Sequence, residues 1–415
     1  MSAFLKDYIA WIALPDGQPI RAADIRLETD PRGRHLASGM RYRSEWLRHP
    51  QRYPINPAHL PLNPNPVEWE TGHIPALIDE VLPGRWERAV QQRVWGREAD
   101  IDDLHAVLGA DRQVWRAGSL EILSPDAAPP PLESSVSLSD LDALVDEVER
   151  SDRHLAPELE ALSRMQAGSS VGGARPKVLI DDGGWLGGQW LAKFQRRDDS
   201  FNQVRVEHAC LLLADRAGLA AAESRVISIK RGDVLLVRRF DVTEAGGRRG
   251  MVSTNALLKD ARHQSDPAHP GYEDLVTCIR RFSTEPAHDL GQIYGQMLLN
   301  EAINNRDDHL KNFSFLLGPG RIVLSPAYDL VPSEALGAYP QLGFDRQPHL
   351  PGPTTPEAIA AARAFGLTPA EARQFNDRIA AALSNIQEIM DQAELAAEDR
   401  RYLLQRLPRK FRPAL

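Results

Sequence analysis

The stretch Asn304-Asn305-Arg306-Asp307-Asp308-His309-Leu310-Lys311-Asn312-Phe313-Ser314-Phe315 gathers acids, amides, a histidine and two cations into its first nine residues. No apolar core requires such a concentration of polar groups. An apolar helix is expected before it, because Leu290, Ile293, Tyr294, Met297 and Leu298 recur at i, i+3, i+4, i+7 and i+8. A hairpin is expected after it: a strand from Phe313 to Leu317, the turn Gly318-Pro319-Gly320, and a return strand from Arg321 to Leu324. Ser325-Pro326-Ala327-Tyr328-Asp329 follows directly. The hairpin therefore brings a second acid, Asp329, back to the polar loop. Asp307 and Asn312 stand in the order Asp-x-x-x-x-Asn. An acid that accepts a proton, an amide that holds a cation and a second acid one hairpin later suit phosphoryl transfer. The alternative is a solvated loop with two unrelated acids, since this spacing alone is common.

The chain has 415 residues, enough for two or three domains and a sizeable core. Its net charge is −8 and its pI about 5.9, which argues against gripping nucleic acid unaided. Two cysteines, Cys210 and Cys278, form neither a metal-type pair nor a disulfide framework, so a reducing cytoplasm is expected. Met1-Ser2-Ala3-Phe4-Leu5-Lys6-Asp7 lacks the basic-then-apolar pattern of a signal peptide. No apolar run approaches membrane-spanning length.

Tyr8 to Leu14 reads as a strand and Pro15-Asp16-Gly17-Gln18 as a turn. From Glu45 to Pro66 the chain is rich in Pro and Asn and reads as extended loop. Ile74 to Leu82 and Arg85 to Val94 read as short helices. Nothing here carries chemistry, so residues 1–123 are assigned to a packing or docking subdomain. Ser124-Pro125-Asp126-Ala127-Ala128-Pro129-Pro130-Pro131 is the clearest linker. It opens a segment, 124–165, of linker and helix, with Leu141, Leu144, Val145 and Val148 on one helical face.

Gly168-Ser169-Ser170-Val171-Gly172-Gly173-Ala174-Arg175-Pro176-Lys177 is rich in small residues, which let backbone amides approach an anion. A strand Val178-Leu179-Ile180, a turn, and a second strand from Gln189 to Phe194 carrying Lys193 follow. A helix is expected from about Gln203 to Arg216, with Val206, Ala209, Cys210 and Leu213 as its stripe and Glu207 beside the stripe, able to face Lys193. Surface positions for Lys193 and Glu207 are the plain alternatives. Arg225 to Ile229 and Val234 to Phe240 read as a hairpin ending in Arg238-Arg239-Phe240-Asp241. Thr243 to His269 reads as a long loop with one short helical region. The last third reads as helical, with starts at Thr355-Pro356 and at the capping box Thr368-Pro369-Ala370-Glu371. Glycine loop, strand lysine, helix glutamate, hinge, Asp-x4-Asn and a further Asp are the parts of a protein kinase, in its order.

The wording of four segments is more specific. Ser170 to Lys177, Arg239-Phe240-Asp241, Asp307 to Ser314 and Pro326-Ala327-Tyr328-Asp329 resemble the HipA family of bacterial serine/threonine kinases, the toxins of toxin–antitoxin pairs. The resemblance covers most of the chain and implies an α+β, two-lobed protein-kinase-like fold. It has a small N-terminal α/β subdomain, N-lobe elements over 166–241 and an all-helical C-terminal lobe over 242–415. It implies ATP and Mg2+ as cofactors. Asp307 would be the catalytic base, and Asn312 and Asp329 the magnesium ligands. Lys193 would sit on the ATP phosphates, paired with Glu207. Gly172, Gly173, Ala174, Arg175, Pro176 and Lys177 would form the nucleotide loop, and Arg238, Arg239 and Phe240 the adenine hinge. His309, Lys311, Asn312 and Tyr328 would complete the nucleotide floor. Ser170 would be the site of autophosphorylation. The implied partners are a HipB-like helix-turn-helix antitoxin and a protein substrate, an aminoacyl-tRNA synthetase by the resemblance. Operator DNA would be met only through the antitoxin, and no membrane is implied. The chain departs from the family at Arg238, where an acid is common, and at Arg249 to Asn255, which lacks a His-Gln-acid wording.

Two other readings fit fewer residues. One is a silent kinase-shaped module that binds nucleotide and acts as an antitoxin-bound co-repressor. The other is a metal hydrolase built on Asp307, Asp308 and His309, which would leave the glycine loop and Lys193 without a role.

Overall fold

Alternation in the first 42 residues builds the N-terminal sheet. In strand β2, Pro19–Thr29, residues Ala23, Ile25, Leu27 and Thr29 are buried, while Asp24 and Arg26 are exposed. This is the period-2 pattern of a sheet with one face on a core. β2 pairs antiparallel with β1, Phe4–Ala13, and with β3, His35–Tyr42. The short strands β4, Val67–Glu70, and β5, Leu120–Leu123, complete an antiparallel order β4-β3-β2-β1-β5. The computed structural model describes residues 3–70, 74–84, 88, 103–109, 115–133, 136–152, 175–181, 188–262, 270–335, 339–345, 347 and 349–412. The glycine-loop residues Ser170, Gly172, Gly173 and Ala174, and most of the helix expected from Arg85 to Val94, lie outside them.

A second antiparallel sheet, β6-β7-β9-β8, is formed by β6 (Lys177–Asp181), β7 (Gln189–Phe194), β8 (Ser224–Ile229) and β9 (Gly232–Arg238). Its two faces have different tasks. Trp190, Ala192 and Phe194 share a buried cluster with Leu141, Leu144, Val145 and Val148 of the helix Leu141–Asp152. The intervening Lys193 lies on the opposite face of the same strand. The helix Gln203–Arg216 lies where its periodicity predicts and buries Glu207 along with its apolar stripe.

A third sheet, β10-β11-β12, consists of β10 (Gly250–Ser253), β11 (Ser314–Gly318) and β12 (Arg321–Leu324). The β11–β12 hairpin matches the expected one to within a residue. Around it stand the helices Thr254–Arg262, Tyr272–Phe282, Pro286–Ile303, Pro369–Ser384, Ile386–Gln392 and Ala397–Arg406. Thr368 and Glu371 form the predicted capping box.

Three local expectations are corrected. The reading of Thr243 to His269 as a long loop with one short helical region misses β10, while a helix is found there at Thr254–Arg262. β10 is four residues long, and its partner β11 lies some sixty residues on, so no local pattern announces it. The reading of Glu45 to Pro66 as extended misses the helical turn Ser44–Arg48, nucleated by Trp46, which is fully buried and donates from Nε1 to the Tyr53 carbonyl at 3.2 Å. The strand expected to run to Phe240 ends at Arg238. There Arg239 turns inward to form a buried forked pair with Asp241, Nη2 to Oδ2 at 2.6 Å and Nε to Oδ1 at 3.1 Å.

The N-terminal subdomain is fastened to this turn. Arg239 also donates to the Arg116 carbonyl at 2.9 Å, and Asp241 accepts from the Gly118 amide at 2.6 Å. Lower down, the helix Ala76–Glu80 meets β10. Glu80 accepts from the Ser253 amide at 3.0 Å and hydroxyl at 2.7 Å. Asp79 stands 3.1 Å from the Lys259 ammonium and 3.6 Å from that of Lys311. Among the described residues, no helix is long and apolar enough to cross a membrane.

Candidate active site

The site begins at the end of the helix Pro286–Ile303. Asn304 closes it in the left-handed conformation, φ 58°, and the chain leaves as irregular loop. Asparagine tolerates this backbone better than most residues. Buried amides then shape the loop. Asn305 donates from Nδ2 to Asn300 at 3.1 Å, and its Oδ1 accepts the Asp307 amide at 3.2 Å. Asn312 donates from Nδ2 to the Asp307 carbonyl at 3.1 Å, closing the five-residue span from the far side. The loop therefore presents Asp307 at the surface and turns Asp308 inward.

The two neighbouring acids consequently live in different media. Asp308 is 1% exposed and accepts from the Tyr272 hydroxyl at 2.8 Å. Burial pushes its carboxyl up from the ordinary 3.8 to about 7, against the Tyr272 hydrogen bond. Asp307 is raised less, by burial, with His309 pulling it down and Asp329 pushing it up. Because the folded state holds the Asp308 proton more tightly than the unfolded chain, its contribution to stability is present below about pH 4 and is lost as pH rises through about 7. Asp308→Asn removes this titration. The melting temperature of the wild type relative to the variant is thus expected to be higher at pH 5 than at pH 8, by an amount on the order of a few kcal/mol in stability. Equal differences at the two pH values would place the titration elsewhere.

Across the cleft, Lys193 donates to Glu207 at 2.6 Å and to Asp329. Lys193 and Glu207 side chains are only 10% and 5% exposed, while that of Asp329 retains 37%. Burial alone would pull the Lys193 ammonium down, but Asp329 and Glu207 outweigh it and hold it above the usual lysine range. Burial pushes the Glu207 carboxyl up, and the Lys193 charge opposes it. Burial also acts to raise Asp329, yet Lys193 and Lys177 hold it well below the carboxylate range, so it is ionised at any ordinary pH. Asp329 reaches this position in the left-handed conformation, φ 55°. Ala327, two residues earlier, is anchored by hydrogen bonds to the Ala220 carbonyl and the Ala222 amide at 2.8 and 2.9 Å.

Other candidate residues fall around this centre. Lys177 is the cross-strand partner of Lys193, which puts both on one face of the sheet. Arg175 turns away to a forked pair with Asp199, at 3.0 and 2.7 Å, and Pro176 caps the β7 ladder by accepting the Phe194 amide at 3.2 Å. Tyr328 donates to the Lys311 carbonyl at 2.8 Å and bonds the Ser314 hydroxyl at 2.7 Å. Its ring lies 5.7 Å from that of Phe240. Arg238 is exposed and paired with Glu223, whereas Arg239 belongs to the buried hinge pair. The His309 Nδ1 is buried. Sequence reasoning passes over Glu80 and Gln341, which touch the site or its supports from far along the chain. Neither has a periodic or motif signal.

Asn312 and Asp329 offer oxygen donors, the type that suits magnesium, an ion that needs one or two protein ligands when phosphates supply the rest. Among the described residues no group of three His, Cys, Asp or Glu side chains could hold a metal by itself. A metal hydrolase built on Asp307, Asp308 and His309 is not favoured, because Asp308 is spent on Tyr272 inside the core.

Sheet, helix, hinge and catalytic-type loop define a two-lobed, protein-kinase-like protein. Residues 169–397, more than half of the chain, match the HipA-like C-terminal domain, and the chain belongs to that family. It is 25% identical over 332 residues to Y4mE of Sinorhizobium fredii, a protein provisionally named a kinase, with 74% of each chain covered. Its fold is also that of HipA from Shewanella oneidensis MR-1, solved with HipB and operator DNA. That likeness has a TM-score of 0.66 at 17% identity and covers 95% of this chain and 94% of that one.

Proposed function

We propose that this chain is an ATP- and magnesium-dependent protein serine/threonine kinase and the toxin of a toxin–antitoxin pair. The observation that carries the reading is Lys193, held between Glu207 and the ionised Asp329 opposite an exposed Asp307. A lysine so held is aimed and kept charged, as needed to meet phosphate oxygens. Asn312 and Asp329 would hold magnesium, which when bound neutralises charge on the β- and γ-phosphates. Asp307 takes the proton of a serine or threonine hydroxyl as that oxygen bonds to the γ-phosphorus. The bond from the γ-phosphorus to the bridging oxygen breaks, and ADP leaves. Phe240 and Tyr328 form the apolar wall suited to adenine.

The reading extends to Ser170 as the residue that the chain autophosphorylates, and to a division of the chain at about residues 123, 165 and 241. A phosphate at Ser170 would repel the nucleotide's own phosphates and act as an off-switch. It also extends to a small HipB-like antitoxin, supported by the HipA–HipB–DNA assembly of the Shewanella relative. The acidic charge of this chain fits DNA contact through that partner only. Overproduction without a partner is expected to arrest bacterial growth, and Asp307→Asn to abolish the arrest. Arrest that survives in the variant would point to sequestration rather than phosphorylation.

A further inference from the structure

Residues 333–335 and 339–345 hold the catalytic-type loop through several hydrogen bonds. The Ser333 amide donates to the Asn304 carbonyl at 2.9 Å, and its hydroxyl accepts the Arg306 amide at 2.9 Å. The Gln341 amide donates to the Arg306 carbonyl at 3.1 Å. Leu342 is fully buried and its backbone bonds Asp308. Gly343 accepts the Tyr272 amide at 3.0 Å. These bonds fix residues 341–343 beside Asp307. From there the exposed side chain of Gln341 donates its Nε2 to Asp307 Oδ1. The orientation of the amide follows from chemistry, since a carboxylate can only accept.

Resting on the kinase reading above, we infer that Gln341 is a positioning residue for the acceptor hydroxyl. Asp307 is held through its backbone by Asn305 and Asn312, which leaves its carboxylate free to rotate. The Gln341 amide occupies one carboxylate oxygen and so fixes the plane of the group. The second oxygen is left to accept the hydroxyl proton, at one angle. Orientation of this kind acts on turnover and leaves nucleotide binding alone.

The test measures label transfer from γ-labelled ATP, with magnesium, to the chain itself, alongside nucleotide affinity by direct titration. Gln341→Leu is expected to slow transfer about 10- to 100-fold, with ATP affinity within twofold of wild type and an unchanged melting temperature, as suits an exposed side chain. Gln341→Glu keeps the shape but replaces the donor with a second carboxylate, and should lose at least as much. Wild-type transfer in Gln341→Glu would reduce Gln341 to a space-filler, and faster transfer in both variants would make it a plug. Either result overturns the inference. Asp307→Asn is run in parallel. An inactive Asp307→Asn with wild-type rates in both Gln341 variants overturns this inference alone. An active Asp307→Asn, or no transfer by the wild type, overturns the kinase reading with it.

Discussion

Asp307→Asn is expected to lower phosphoryl transfer by roughly 10²–10⁴-fold while leaving ATP bound as tightly as before. The expectation follows from where the loop puts its two acids. Asp307 is exposed at the cleft and makes no ion pair with Lys193, so removing its charge deletes a proton acceptor and little else. Its backbone contacts, which accept from Asn312 and donate to Asn305, do not depend on the side chain. A loss of turnover at constant nucleotide affinity is the signature of an interaction made only in the transition state. Single-turnover transfer and equilibrium titration of ATP on the same preparation check it. Near-normal transfer by the variant would move the base elsewhere.

Asp329→Asn has a different expected signature. Turnover falls by roughly 10²–10³-fold, and nucleotide affinity in the presence of magnesium falls too. Asp329 is the counter-charge of Lys193 as well as a candidate metal ligand, so on the proposed reading its loss would disturb two groups placed to meet the phosphates. The variant leaves Lys193 with Glu207 alone, and the lysine keeps a buried partner. The fold is therefore expected to survive where Glu207→Ala would endanger it, since a buried ammonium would lose its closest buried carboxylate. ATP titrations with and without magnesium separate the effects. An affinity that loses its magnesium dependence supports the ligand role, whereas an unchanged dependence contradicts it.

Much of the site is legible because its parts have strong local signals. Gln189–Phe194 alternates cleanly, Gln203–Arg216 has a helical stripe, and Asn304 to Asn312 is too polar to be core. Glu207 lies beside that stripe, and the structure brings it to Lys193 at 2.6 Å. What escapes is held by distant partners. β10 has no meaning without β11, and Arg239, expected at the adenine hinge, is enclosed by Asp241, Arg116 and Gln189 only once the fold brings them together. Gln341 is one glutamine in a polar stretch until the fold sets it against Asp307. The alternation of β2, with Asp24 and Arg26 between buried Ala23, Ile25 and Leu27, is by contrast a signal within reach of the sequence.

The most direct measurement is the fate of the γ-phosphate. The purified chain is incubated with magnesium and γ-labelled ATP, and label is followed on protein and in free phosphate. The account predicts label covalently on serine, mapping to Ser170, with none in Asp307→Asn. Label released only as phosphate, or ATP bound and left intact, would contradict it.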